Sequence, residues 1–151
     1  MGIRSKPPIT GKELKLSSPR QTGGLIIAGS YVPKTTKQLK VLTDRRGGTG
    51  ELEIIEINVE KLLESQETAL RTIQQTVQKI DTCLQSGKDT LLMTSRKLIT
   101  GNDELSSLAI CTTVAEALVR VLQGIEVRPR YVIAKVRPLY FSLSPSFLLE
   151  Y

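Results

Sequence analysis

Residues 23–39, GGLIIAGSYVPKTTKQL, gather the donors for an anion in one short stretch. Ser30, Lys34, Thr35 and Thr36 follow an apolar run, Leu25 to Ala28, across a turn that contains Gly29 and Pro33. A brief apolar run bounded by glycines reads as a buried strand, and the polar residues after it read as the opening of a helix. A helix start has backbone N–H groups without helical partners and the positive end of the peptide dipole, and Lys34 and the hydroxyls add further donors. A phosphate fits such a turn. So does a plain strand-to-helix cap with a solvated lysine, since neither GxxxxGK[ST] nor GxGxxG is present. A second run, Leu91 to Met93, ends in Thr94, Ser95 and Arg96 and repeats the pattern. The chain has no histidine, which removes Ser-His and Cys-His hydrolysis and the commonest general base. Cys83 and Cys111 lie within apolar-periodic segments and are expected to be buried reduced thiols.

The elements that must position these groups can be taken in chain order. Thr35 or Thr36 is expected to cap a helix reaching about Arg46, with Leu39 and Leu42 inward, and RRGGTG ends it. Residues 51–57 alternate charged and aliphatic side chains, as in a strand with one exposed face or at a sheet edge. Val59, Leu62, Leu63, Leu70, Ile73, Val77, Ile80 and Leu84 draw one stripe along a single helix over 59–85, stopped by Gly87. A polar loop with Gly101 and Asn102 leads to a helix over 103–123, with Asp103 and Glu104 in its first turn, where negative charge suits the dipole. Its inner face is expected to carry Leu105, Leu108, Ala109, Ala115, Leu118, Val119 and Leu122, with Gly124 as its stop. Tyr131 to Ala134 reads as a further buried strand. Apolar strands alternating with amphipathic helices give an α/β domain, a mainly parallel sheet flanked by helices in a Rossmann-like three-layer arrangement, incomplete at the C-terminus. Parallel strands share one carboxyl edge, so Gly29 to Thr36 and Thr94 to Arg96 are expected to meet there.

Composition narrows the function classes. The 151 residues suffice for one core, and no apolar run reaches the length of a bilayer span. The N-terminus lacks the apolar centre of a signal peptide, and Lys6 stands where a myristoylation motif needs Ser or Thr, so a cytoplasmic protein is expected. The net charge of +6 comes from the first third, which has one aromatic residue, Tyr31, and no nucleic-acid fingerprint; nucleic-acid binding is not expected. Glu51, Glu53, Glu56, Glu60 and Glu64 form a solvated face without metal-ligand spacing. Residues 1–22 read as a linker or the remnant of a preceding domain, 23–135 as the α/β domain, and 136–151 as a divergent tail. That tail holds Tyr140, Phe141, Phe147 and Tyr151, four of the six aromatic residues.

Together, GGLIIAGSYVPKTTKQL, GKDTLLMTSRKLITG and RPRYVIAK resemble the C-terminal nucleotide-binding domain of the four-carbon acid sugar kinase family, over roughly residues 20–135. The resemblance implies an ATP site, with Mg2+ supplied by the nucleotide, in kinases that phosphorylate threonate- or erythronate-type acids held mainly by a separate N-terminal domain. It implies nucleotide contact for Ser30 in the Gly29-Ser30 pair. The other site residues, Lys34, Thr35, Thr36, Thr94, Ser95 and Arg96, follow from the mechanical argument above. Where the family continues after RPRYVIAK with a glycine-rich loop of the form GGITSSD, and later a PGN-type loop, this chain has Val136, Arg137 and Pro138. The expectation is therefore a partial nucleotide-binding domain without kinase turnover alone and without membrane association. The alternative is a non-catalytic interaction fragment that uses basic residues 1–46, or homo-oligomerises or associates through the aromatic tail.

Overall fold

A computed structural model describes residues 22–30, 32–95, 99 and 101–135. The elements run β1 (Leu25–Ala28), α1 (Pro33–Arg46), β2 (Leu52–Ile57), α2 (Val59–Glu64), α3 (Gln66–Gln85), β3 (Asp89–Thr94), α4 (Glu104–Gly124) and β4 (Val132–Lys135). The four strands form one sheet in the order β2-β3-β1-β4, and every pairing is parallel.

Strand alternation sorts the core into two layers. Leu25 and Ile27 of β1 share a face with Ile55, Ile57 and Leu92, and α2, α3 and α4 close it with Val59, Leu62, Ile73, Ile80, Leu84, Val114, Leu118 and Val121. Ala28 and Leu91 look the other way, with Ile26 and Met93 beside them, and meet Leu39 and Leu42 of α1. The result is the expected three-layer α/β arrangement. Burying each of the largest side chains, such as Ile80 or Leu84 at 0% exposure, contributes roughly 1.5–3 kcal/mol.

Several expectations change. Residues 59–85 form two helices rather than one, because Ser65 adopts φ −160° and ψ 159° and its hydroxyl accepts the Thr68 amide hydrogen bond at 3.0 Å. Serine serves readily as a cap because its oxygen replaces a missing backbone partner. The apolar stripe survives the break, although Leu63 and Leu70 stay exposed. Helix α1 starts at Pro33, whose fixed φ suits a first helical position, so Thr35 and Thr36 lie inside it and cap nothing. Gly87 does supply the left-handed residue after α3, at φ 73°. Gly124, in contrast, is the last residue of α4, and a Cβ there would sit 3.0 Å from a Val77 methyl, so its smallness serves the close packing of α4 on α3.

Helix α4 buries Val114, Ala115, Ala117, Leu118 and Val121, whereas Leu105, Leu108 and Ala109, expected inside, are exposed. Periodicity marks an apolar face but not where the layer beneath it ends. By length and composition α4 is also long and apolar enough to cross a membrane, which the sequence reading did not anticipate; its carboxyl half is packed into the domain. Cys83 is half-buried and Cys111 exposed, which corrects the expectation of two buried thiols. Strand β2 is an edge, as its alternation suggested, with Glu53 and Glu56 exposed. Among the described residues strand β4 is the other edge and not a buried strand: all four of its residues are exposed. Apolar composition alone does not separate an edge from a centre.

At the amino edge of the sheet one carboxylate ties four elements. Buried Asp89, at the start of β3, accepts the Gly24 amide at 2.8 Å through Oδ1 and the Arg46 guanidinium at 3.0 Å through Oδ2. The same guanidinium reaches Glu51 at 3.3 Å, and the Tyr131 phenol lies beside the Asp89 charge. Burial first, and the neighbouring Asp89 charge second, hold the Tyr131 phenol above its usual pKa. A group whose folded value is raised contributes stability fully below its unfolded pKa, about 10 for tyrosine, and loses it as pH rises through the folded value. Unfolding midpoints measured across that alkaline range should therefore fall more steeply for the wild-type chain than for Tyr131→Phe. Burial also pushes the Cys83 thiol up, so the difference between the two proteins isolates the phenol.

Candidate functional site at the carboxyl edge

The order β2-β3-β1-β4 determines where a crevice opens. Strands β1 and β3 are neighbours, registered from Leu25↔Thr90 to Ala28↔Met93. From β1 the chain turns to α1 on one face, and from β3 it turns toward α4 on the other. Adjacent parallel strands whose connections part to opposite faces form a topological switch point, where open α/β sheets hold ligands. Gly29-Ser30 and Thr94-Ser95 are the residues that leave the sheet on its two sides.

On the α1 side, Ser30 is buried and its Oγ accepts the Val32 amide at 3.3 Å, bending the chain into the helix. Gly29 before it is half-buried. No side chain caps α1: its N-cap is Val32, Pro33 has no N–H, and the Thr36 amide already donates to the Val32 carbonyl at 3.1 Å. The amides of Lys34 and Thr35 thus have no helical partner, and no acidic residue lies in this first turn. Thr35 is buried beneath them, and Lys34 and Thr36 are exposed. The other three helices are closed to an anion at their starts: Asn58 caps α2, Ser65 caps α3, and Asp103 forms a capping box with Ser106 on α4. Hydrogen bonds from the Ser106 hydroxyl and amide hold the Asp103 carboxyl below its usual range, so α4 begins under negative charge.

Across the switch point, Thr94 pairs in register with Ile57 and therefore faces the α2–α4 layer, away from α1. Its side chain is fully buried, and its Oγ1 has no hydrogen-bond partner. Ser95 is committed elsewhere: its amide donates to the Ile57 carbonyl at 2.8 Å and its Oγ accepts the Val59 amide at 3.2 Å, fastening the end of β3 to the start of α2. Arg96 lies outside the described residues. The fold therefore brings Ser30, Lys34 and Thr35 together, sets Thr94 opposite them, and gives Ser95 a structural bond. Sequence reasoning missed that α1 is uncapped, for which the signal was Val32 at the N-cap position; it put Asp103 and Glu104 at the start of α4, as found, but not the capping box that Asp103 makes with Ser106 three residues on.

An unsatisfied buried hydroxyl is costly, and replacing it with a methyl of the same shape removes that cost. Thr94→Val is expected to stabilise the ligand-free domain by about 1 kcal/mol, readable as a higher denaturant midpoint.

No curated protein and no solved structure matches the chain. The family model for the nucleotide-binding C-terminal domain matches residues 25–134, from the first residue of β1 to within one residue of the end of β4. The chain therefore belongs to this family, the nucleotide-binding domain of the four-carbon acid sugar kinases.

Proposed function

We propose that the chain binds ATP or ADP at the switch point between β1 and β3, with Mg2+ carried on the phosphates. The observation that supports this most is the uncapped start of α1, the one described helix start open to an anion, lying at that crevice beside Ser30. The Lys34 and Thr35 amides and the Lys34 ammonium would meet phosphate oxygens, with the Ser30 and Thr36 hydroxyls adding donors. Thr94 stands behind the opposite wall, its fully buried hydroxyl turned toward the α2–α4 layer. Gly29 leaves room for close approach of the ligand, and the Ser95 contribution is to hold the wall in place.

Within the family this nucleotide would serve phosphoryl transfer to a threonate- or erythronate-type acid in the cytoplasm. Such transfer needs in-line positioning and stabilisation of the transferring group's charge. The cradle accounts for phosphate binding, and the sequence after Lys135 runs Val136-Arg137-Pro138 instead of a glycine-rich loop, so the reading proposed for this chain is nucleotide binding without turnover on its own. Calorimetric titration with Mg-ATP tests this. Millimolar or tighter binding that weakens about tenfold or more in Lys34→Ala and Ser30→Ala is the expected result. A folded protein that takes up no nucleotide at millimolar concentration overturns it.

A further inference from the structure

The two edges of the sheet are complementary to each other. At the β4 edge Val132 and Ile133 are 39% and 54% exposed, and Lys135 reaches out to bond the Gln38 side chain of α1. At the β2 edge Ile54 is 37% exposed between Glu53 and Glu56, both exposed. Edge strands present unpaired backbone N–H and C=O groups, and proteins usually guard them with charge, proline or cover. Within β4, Val132 to Ala134 carry no charge and no proline.

Register makes the match specific. Ile133 and Lys135 lie on the α1 face of the sheet, beside Ile26 and Ala28; Ile54 and Glu56 lie on that same face, beside Leu91 and Met93. If β4 of one copy runs parallel to β2 of another, the offset that sets Ile133 against Ile54 also sets Lys135 against Glu56. The exposed apolar side chains then cover each other, and the ammonium meets a carboxylate. Two β4 edges pairing with each other would bring Lys135 toward Arg128 and Arg130 of the second copy when antiparallel, a like-charge juxtaposition that disfavours that dimer.

We infer that the β4 edge docks the β2 edge of a second copy of this chain, head to tail, extending the parallel sheet from one molecule into the next. An interface between two different patches does not close on itself unless a rotation brings the ends together, so the assembly grows with concentration instead of stopping at a dimer. The helices on each face and the nucleotide crevice, separated from β2 by β3 and from β4 by β1, are not part of the contact.

Complementation in the analytical ultracentrifuge tests it. The full-length wild-type chain should show an average mass that rises with concentration. Ile133→Lys, which charges the β4 edge, and the pair Glu53→Lys with Glu56→Lys, which reverses the β2 edge, should each be monomeric and remain folded by circular dichroism. An equimolar mixture should form a one-to-one dimer, since each variant keeps the edge the other has lost. A wild-type chain that stays monomeric overturns the proposal, as residues 136–151 or another segment would then occupy the edge. Association that survives in both variants, or variants that fail to pair when mixed, also overturns it.

Discussion

Replacing Asp89 with alanine is expected to destabilise the domain by about 3 kcal/mol or more, the range for removing one partner of a buried charged pair. The loss is not one bond. The Gly24 amide, at 2.8 Å, is left without its acceptor at the entry to β1, and the Arg46 guanidinium, at 3.0 Å, loses the carboxylate that fastens the end of α1. The Tyr131 phenol before β4 loses the neighbouring carboxylate as well. For a domain of this size a change of about 3 kcal/mol lowers Tm by roughly 10 °C. Arg46→Ala should cost less, because Asp89 keeps the Gly24 amide and the Arg46 side chain is 31% exposed. In a double-mutant cycle the Asp89→Ala and Arg46→Ala effects should add to less than their sum, since both remove one shared contact. Strict additivity in denaturant titrations would show that the pair is not coupled.

Gly23→Ala is expected to be comparably damaging for a different reason. A Cβ on Gly23 would lie 1.7 Å from the Lys88 carbonyl oxygen, a backbone atom that cannot rotate away. Gly23 sits between chains on both sides, donating to the Leu84 carbonyl at 3.0 Å and accepting the Arg130 amide at 2.9 Å. Relieving the overlap requires β1 to shift against both connections, so a loss of about 3 kcal/mol is expected, at the upper end for overpacking. Gly48→Ala is the control: nothing lies within 4 Å of a Cβ there, and its midpoint should stay within about 0.5 kcal/mol of wild type. A tolerated Gly23→Ala would mean that the close approach of β1 to the α3–β3 turn is not rigid.

The strand–helix alternation was readable because each signal was local: Leu25 to Ala28 between glycines, the stripe through Ile73, Ile80 and Leu84, and the polar residues that end each strand. Relations between elements were not local. Nothing in VIAK reports that β4 has a neighbour on one side only, and nothing in the leucines of α4 reports that its first turns lack a layer beneath them. The break at Ser65 was hidden because the apolar stripe continues across it. At the site, the residue types named the edge, but only the strand order sets Thr94 on the opposite face from α1. Only the hydrogen bonds separate Ser95, which braces α2, from Ser30, which bends the chain toward an open helix start.

The two faces of the sheet are unequally filled, and this bears on how the domain opens. On the α2–α4 face the core is broad, whereas α1 rests on its face mainly through Leu39, with Thr35 buried beside it. A helix held by so little apolar surface belongs to the least stable cooperative unit of a fold. Its amides should exchange with solvent well before those of α3. Because the proposed phosphate cradle is the start of that same helix, nucleotide binding would register as slowed hydrogen exchange along the whole of α1, out to Arg46 and the Asp89 tie at the far edge of the sheet.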